Sequence, residues 1–130
     1  MKSFIAKLSD NHGQSLVEFA LVLPFLLLIL VGIVEVGRMW ETANVVTSAA
    51  REGARVAAVT APNINQVRAA AQNVLNAGSV SGATISVSGP TIDSQVSVTI
   101  RVNYSPIIRS FIPGLNNVQI TRSTTMLWEG

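Results

Sequence analysis

The chain has 130 residues, of which 48% are hydrophobic and only 12% are charged, a balance too apolar for an ordinary soluble domain of this length. The formal net charge of +2 is too small to indicate nucleic-acid binding. The chain has no cysteine, which excludes a disulfide framework, a thiolate metal site and a cysteine nucleophile. The composition therefore favours one small domain with an apolar anchor.

A short polar N-terminus precedes a long apolar segment, which is predicted to be a membrane-inserting helix. The 16 residues between Glu18 and Glu35 are all uncharged, and as a helix they span roughly 24 Å. A bilayer core is about 30 Å thick, and the flanking residues extend the span. The segment lacks the polar face that a soluble core helix shows. Lys2 and Lys7 indicate that its N-terminal end stays in the cytoplasm.

Two interpretations compete for the N-terminus. A secretory signal peptide has an apolar stretch of about 7–15 residues followed by a cleavage site of small residues. Here the apolar run is longer, and the sequence that follows it, "VEVGRMWE" (residues 34–41), contains no such site. The other interpretation is a leader that is cut before the apolar run, so that the run remains in the mature protein.

The stretch "GQSLVEF" (residues 13–19) resembles the processing site of type IV prepilin-like proteins, which an aspartic peptidase of the membrane cuts directly after a glycine. The apolar segment that follows, with its "LP" pair, and "SAAREGARVAAV" (residues 48–59) are similar to the TadE-like family of tight-adherence (Flp) pilus systems. Members of this family are called minor pilins or pseudopilins. The resemblance covers about the first 60 residues and implies a cut between Gly13 and Gln14.

The resemblance also implies a domain organisation and a set of partners. Residues 1–13 would form a cytoplasmic leader, residues 14–60 a transmembrane and stalk helix, and residues 61–130 an extracytoplasmic α+β head. The implied partners are a prepilin peptidase, other pilins or pseudopilins, the pilus assembly machinery and the membrane. The expected location is the bacterial inner membrane, with incorporation into an extracellular pilus.

Glu18 places a carboxylate at the edge of the apolar segment. A cut after Gly13 would free an amino group on Gln14, whose pKa is about 8, one helical turn from Glu18 and on the same face. The resemblance implies that Glu18, which Phe19 follows, pairs with the amine of an adjacent pilin during assembly. The alternative is that Glu18 lies at the headgroup boundary, where the helix dipole favours an anion. Cyclisation of an N-terminal Gln14 would remove the amine.

Pro24 falls inside the predicted membrane helix. Proline removes one backbone hydrogen bond and tends to kink the axis. The functional interpretation is a locally flexible point that is used when subunits leave the bilayer. The alternative is an ordinary kink.

The helix is predicted to continue past the membrane with a stripe of mostly small apolar residues. These residues recur at alternating steps of three and four, and they are Val36, Met39, Ala43, Val46, Ala50, Gly53 and Ala57. On the segment "AAREGAR", Arg51, Glu52, Gly53 and Arg55 form a candidate subunit interface. The alternative is a solvated face with a weak Glu52–Arg55 pair. Trp40 marks either the outer membrane interface or a contact with the globular part.

The second half of the chain predicts a short helix and three strands. Pro62 ends the long helix, and residues 63–78 form an amphipathic helix whose inward side includes Ile64. Strands at residues 83–88, 95–104 and 118–128 predict a small antiparallel sheet packed on the helices. The loop at residues 105–117 is unusually apolar, and it either covers the open end of the core or contacts a membrane or a partner.

No catalytic constellation is recognisable in the sequence. Ser15 has no nearby base, and His12 stands without a second histidine or a carboxylate cluster. We therefore expect no enzyme, no cofactor, no metal and no small-molecule substrate. The favoured function is a minor pilin or pseudopilin subunit. The alternative is an uncleaved, single-pass anchored module that binds a partner outside the cell. A third possibility, the main filament subunit, is disfavoured by length, since the main subunits of the family that this chain resembles are typically much smaller.

Overall fold

The computed structural model describes residues 11–60 and 63–129. Lys2, Lys7 and most of the predicted leader lie outside the described residues, as does Pro62. The described elements are, in chain order, helix α1 (Asn11–Thr60), helix α2 (Ile64–Ala77), strand β1 (Thr84–Ser88), strand β2 (Gln95–Tyr104), a 3₁₀ helix (Ile107–Ser110) and strand β3 (Val118–Leu127). This α+β layout confirms the predicted fold class.

The chain divides into two compact units, one that ends at Glu35 and one that begins at Val36. The first unit contains the apolar part of α1, where the most apolar window has a mean hydropathy of 2.8 and is 0% buried. Leucine, valine and isoleucine dominate the apolar run. By length and composition, α1 is able to cross a membrane.

Pro24 lies in the interior of α1, and the helix continues on both sides of it. Because proline has no backbone N–H, the carbonyl of Ala20 lacks its usual helical donor. The kink that the sequence suggests stays a prediction.

The core of the second unit is built where small residues of α1 meet α2 and the sheet. Four alanines of α1 are fully buried, and the largest fully buried side chains include Leu75 of α2 and Ile100 of β2. A Cβ built on Gly53 would lie 3.2 Å from Val98 Cγ1 and 3.3 Å from Ala71 Cβ. The stripe of small residues is thus what lets α2 and β2 approach α1 closely. Val36, the first residue of the stripe, is 60% exposed and lies outside this core.

Helix α2 lies within the predicted residues 63–78 and is one residue shorter at each end, because Asn63 and Gly78 cap it. The side chain of Asn63 accepts a hydrogen bond from the backbone N–H of Gln66 at 3.4 Å, and Gly78 follows the last helical residue. Three residues of its inward face are buried, namely Val67, Ala71 and Leu75. The prediction that Ile64 faces inward is wrong, since this side chain is 45% exposed. It lies in the first turn, where the helix is not covered.

The sheet is antiparallel with the order β1-β2-β3, so that the most apolar strand is central. Val96, Val98, Ile100, Val102 and Tyr104 alternate along β2 as buried residues, which confirms the predicted inward face. The outer face carries hydroxyls: Ser123 Oγ lies 3.2 Å from Ser97 Oγ and 3.0 Å from Thr99 Oγ1. The sheet is therefore apolar on the core side and polar on the other.

The two ends of the sheet lie at opposite ends of the α1 segment that belongs to the second unit. At one end, the Arg38 guanidinium carbon lies 6.0 Å from the centre of the Tyr104 ring. At the other end, the backbone N–H of Glu129 donates to the carbonyl of Ala58 at 3.2 Å. The connection from Tyr104 to Val118 therefore starts next to Arg38, close to the first residue of the second unit.

Candidate functional site

The predicted cleavage site lies in the first turn and a half of α1. Gly13 and Gln14 are exposed, and a Cβ built on Gly13 would meet no atom within 4 Å. Glycine is about 1 kcal/mol less favourable than alanine in a helix. The Gly13–Gln14 peptide bond is therefore exposed, and it follows a residue that favours the helix less than alanine does.

The structure brings Gln14 and Glu18 together. Gln14 Nε2 donates a hydrogen bond to Glu18 Oε1 at 3.2 Å, the contact that a spacing of four residues on a helix allows. Both side chains are exposed. The contact uses the side-chain amide of Gln14, because its α-amino group is held in a peptide bond in the uncut chain. Phe19 is 56% exposed on the same exposed part of the helix.

Glu18 is the single charged residue from Gln14 to Val34 in the sequence. The apolar residues around it are exposed, for example Leu21 at 66% and Val22 at 51%. A lone acidic side chain at the centre of a membrane helix costs roughly 2.5–3.5 kcal/mol on insertion scales. The carboxylate therefore gains from a position at the bilayer edge or from a cationic partner, and one neutral amide supplies only part of that stabilisation.

Arg55 and Glu52 form a bidentate pair on the outer side of α1. Arg55 Nη2 lies 2.7 Å from Glu52 Oε1, and Arg55 Nε lies 2.9 Å from Glu52 Oε2. The hydrogen bonds from Arg55 hold the pKa of Glu52 below its ordinary value, and the same contact raises the pKa of Arg55. Side-chain exposures of 66% for Arg55 and 36% for Glu52 keep the pair hydrated, so it adds little to stability.

The four residues of the candidate subunit interface do not share one environment. Arg51 and Arg55 are exposed and Glu52 is half-buried, whereas Gly53 is buried. A Cβ built on Gly53 would meet Ala71 and Val98 of its own chain. Arg51, Glu52 and Arg55 are thus accessible on the surface, whereas Gly53 lies against the core of the second unit. The subunit interface stays a prediction.

A shallow groove and a buried carboxylate were not predicted from the sequence. Residues of α1 from Val36 to Ala43 and residues 119–122 of β3 line a groove of about 410 Å³. Trp40 lies in this groove and is 71% exposed. Glu35, which the sequence suggested only as the end of the apolar span, is buried. The position of an aromatic residue shortly after the span was the one signal for the groove.

The last feature of the site is the distribution of possible metal ligands. Among residues 11–60 and 63–129, no group of three or more histidine, cysteine, aspartate or glutamate residues is able to hold a metal ion. The described features are instead an exposed apolar helix, a carboxylate at its edge and an outward charged face. Together they fit a pilin-like protein whose first helix is long and apolar enough to cross a membrane.

Comparison with known families supports this class. The family described as "TadE-like protein" matches residues 13–55, which include Gly13, Glu18 and the "AAREGAR" segment. The chain is therefore similar to TadE-like proteins over these residues, about a third of its length. No curated protein and no solved structure matches the chain.

Proposed function

We propose that this protein is a minor pilin or pseudopilin of a tight-adherence (Flp) pilus, cut after Gly13 by a prepilin peptidase. The observation that carries the proposal is the arrangement at the start of α1. An accessible glycine, a carboxylate five residues later and an uncovered apolar helix follow one another within the residues that the TadE-like family matches.

The mature subunit would be held in the inner membrane by the apolar part of α1, with residues 1–13 removed on the cytoplasmic side and residues 61–130 outside. Cleavage would turn the neutral peptide nitrogen of Gln14 into an amine close to Glu18. In an assembly, the exposed apolar side chains of α1 would pack on helices of neighbouring pilins, and the pilus assembly machinery would take the subunit from the bilayer. Prepilin peptidase, other pilins and the membrane are thus the proposed partners.

A second candidate function is an uncleaved, single-pass anchor that carries an extracytoplasmic binding module. The contact between Gln14 Nε2 and Glu18 Oε1 at 3.2 Å favours it, because the carboxylate then has a hydrogen-bond partner without any cleavage. A simple anchor, however, needs neither a glycine at residue 13 nor a carboxylate at residue 18.

Intact mass spectrometry of the membrane-extracted protein from its native host tests the choice between the two functions. We expect a mature chain that begins at Gln14 when the prepilin peptidase is present, and a chain that begins at Met1 in a strain without the peptidase. A chain that begins at Met1 in both strains would refute the pilin proposal and favour the anchored module.

The outward charged face of α1 gives a separate prediction about partners. We expect Arg51→Glu to reduce the amount of partner pilin that copurifies with the protein, because the substitution reverses a charge on an exposed surface. The free energy of unfolding should change by less than about 0.5 kcal/mol, as is usual for exposed positions. Affinity purification and thermal unfolding in the same detergent measure the two effects.

Arg68→Glu is the matched control, since Arg68 is an exposed arginine on α2. Equal copurification of the Arg51 variant, the Arg68 variant and the unmodified protein would show that the face around Arg51 is merely solvated.

A further inference from the structure

The connection between β2 and β3 presents apolar side chains to the outside. Phe111 is 71% exposed, Ile107 is 53% exposed and Ile112 is 41% exposed. No residue of the 3₁₀ helix in this connection is buried. We refer to Ile107, Phe111 and Ile112 as the loop patch. Of the two interpretations of this loop, covering the end of the core does not fit these three side chains.

The loop has a defined fold of its own. The backbone N–H of Phe111 donates to the carbonyl of Ile108 at 2.9 Å, and Arg109 Nη1 donates to Asn117 Oδ1 at 2.8 Å. Pro106, just before the 3₁₀ helix, is buried. These hydrogen bonds fix the loop in a turn from which the loop patch faces outward. Arg109 lies between Ile107 and Phe111 in the sequence.

The position of the loop in the second unit indicates what its exposed apolar side chains contact. The loop leaves β2 at Tyr104, whose ring is 6.0 Å from the Arg38 guanidinium carbon. Arg38 is in the first turn of the second unit, whose first residue, Val36, follows the apolar span directly. Val36 and Trp40 are 60% and 71% exposed. The loop patch therefore lies at the same end of the second unit as these two exposed apolar residues.

We propose that the loop patch contacts the outer surface of the bilayer that α1 crosses. Phe111 and Ile112 would enter the boundary between headgroups and acyl chains, and Trp40 would lie at a similar depth, where tryptophan is enriched. The Arg109 guanidinium has five N–H donors, so it retains donors for lipid phosphates while it binds Asn117. This contact rests on the proposed membrane-anchored state of the protein, and it would hold the second unit against the bilayer until assembly removes it.

The opposite end of the sheet provides the comparison that the test needs. The turn between β1 and β2 contains Ile92, which is fully exposed, and the exposed Asp93. This end lies next to Ala58, far along α1 from Arg38. A bilayer contact at Tyr104 would therefore leave the Ile92 turn in water, although both ends expose an apolar side chain.

Site-specific fluorescence tests the proposal, because the chain has no cysteine and single cysteines are labelled uniquely. The full chain carries the polarity-sensitive dye NBD at Ser110→Cys, Asp93→Cys or Leu26→Cys and is reconstituted in vesicles of phosphatidylethanolamine and phosphatidylglycerol. Ser110 and Asp93 each neighbour an exposed apolar residue, and Leu26 lies in the middle of the apolar span. Brominated lipids quench a dye in the bilayer, and iodide quenches a dye in water.

We expect the dye at residue 110 to show a blue-shifted emission, quenching by brominated lipid and protection from iodide, while the dye at residue 93 behaves oppositely. Adding Phe111→Ser and Ile112→Ser should return the dye at residue 110 to water without unfolding the protein, since both side chains are exposed. A blue shift at residue 110 without quenching by brominated lipid would assign the loop to a protein contact and overturn the proposal.

The dye at residue 26 separates the two possible failures. Lipid quenching at residue 26 together with iodide quenching at residue 110 would leave the anchor intact and refute the loop contact. Iodide quenching at residue 26 would refute the membrane anchor itself, and with it the bilayer contact of the loop.

Discussion

Gly13→Ala is expected to leave the protein uncut, so that its intact mass corresponds to a chain that begins at Met1 even when the prepilin peptidase is present. The added methyl group meets no atom within 4 Å of its own chain, so the substitution does not disturb the protein. It acts on the cleavage step in two ways. It places a Cβ beside the bond that the peptidase must approach, and it stabilises the helical conformation of that bond by about 1 kcal/mol.

Two other glycines of α1 give matched controls for this substitution. A Cβ built on Gly32 or Gly37 also meets no atom within 4 Å, so Gly32→Ala and Gly37→Ala make the same chemical change elsewhere on the same helix. Both variants should be cut normally to a chain that begins at Gln14. Normal cutting of Gly13→Ala would contradict the assigned cleavage site, and a loss of cutting in all three variants would indicate an effect on membrane insertion instead.

The order and type of the elements could be predicted because each depends on local patterns. Strand β2 alternates apolar and polar residues over its whole length, and that alternation decides which face is buried. Helix α2 is preceded by Asn63, whose side chain caps it, and followed by Gly78. Such signals need no knowledge of distant residues, and the structure agrees with them.

The extent of burial along a face was harder to predict, because periodicity shows which side of a helix is apolar but not how far a neighbour covers it. Val36 and Ile64 both fit their apolar stripes, yet both are exposed, since each lies beyond the part of its helix that other elements cover. The same reason applies to the loop patch, for composition alone left open whether Phe111 closes the core or faces outward.

The candidate site could likewise be predicted only where it depends on local spacing. The spacing of Gln14 and Glu18 predicted a contact within one helical turn, and the hydrogen bond of 3.2 Å has that geometry. Gly53, however, follows Glu52 directly in sequence and lies on another side of the helix, where a Cβ would meet Val98 and Ala71. Whether a small residue contacts a neighbouring subunit or its own fold depends on which elements pack on it, and that information is not local.

Glu18→Gln is expected to preserve membrane association and cleavage but to prevent assembly. Membrane association should stay intact or become slightly stronger. A charge in the membrane costs roughly 2.5–3.5 kcal/mol at the bilayer centre, and Glu18, at the edge of the apolar helix, carries only part of that penalty. Cleavage after Gly13 should continue, since residue 18 lies more than one turn beyond the cut bond. Assembly should fail, because the neutral amide cannot form an ion pair with the amine of a neighbouring subunit. Membrane flotation, intact mass and the amount of the protein in sheared pili measure the three quantities.

Two control variants show whether an assembly defect of Glu18→Gln comes from the loss of the ion pair with the amine. Glu41→Gln makes the same change at an exposed glutamate of α1 beyond the apolar span, and it should assemble normally. Gln14→Ala removes the side-chain partner of Glu18 and prevents cyclisation of the new N-terminus, but it keeps the amine that cleavage creates. If the amine is the partner that matters, Gln14→Ala assembles and Glu18→Gln does not. Assembly of Glu18→Gln at the level of Glu41→Gln would leave Glu18 as a carboxylate at the bilayer edge, stabilised there by water, by the helix dipole and by the amide of Gln14.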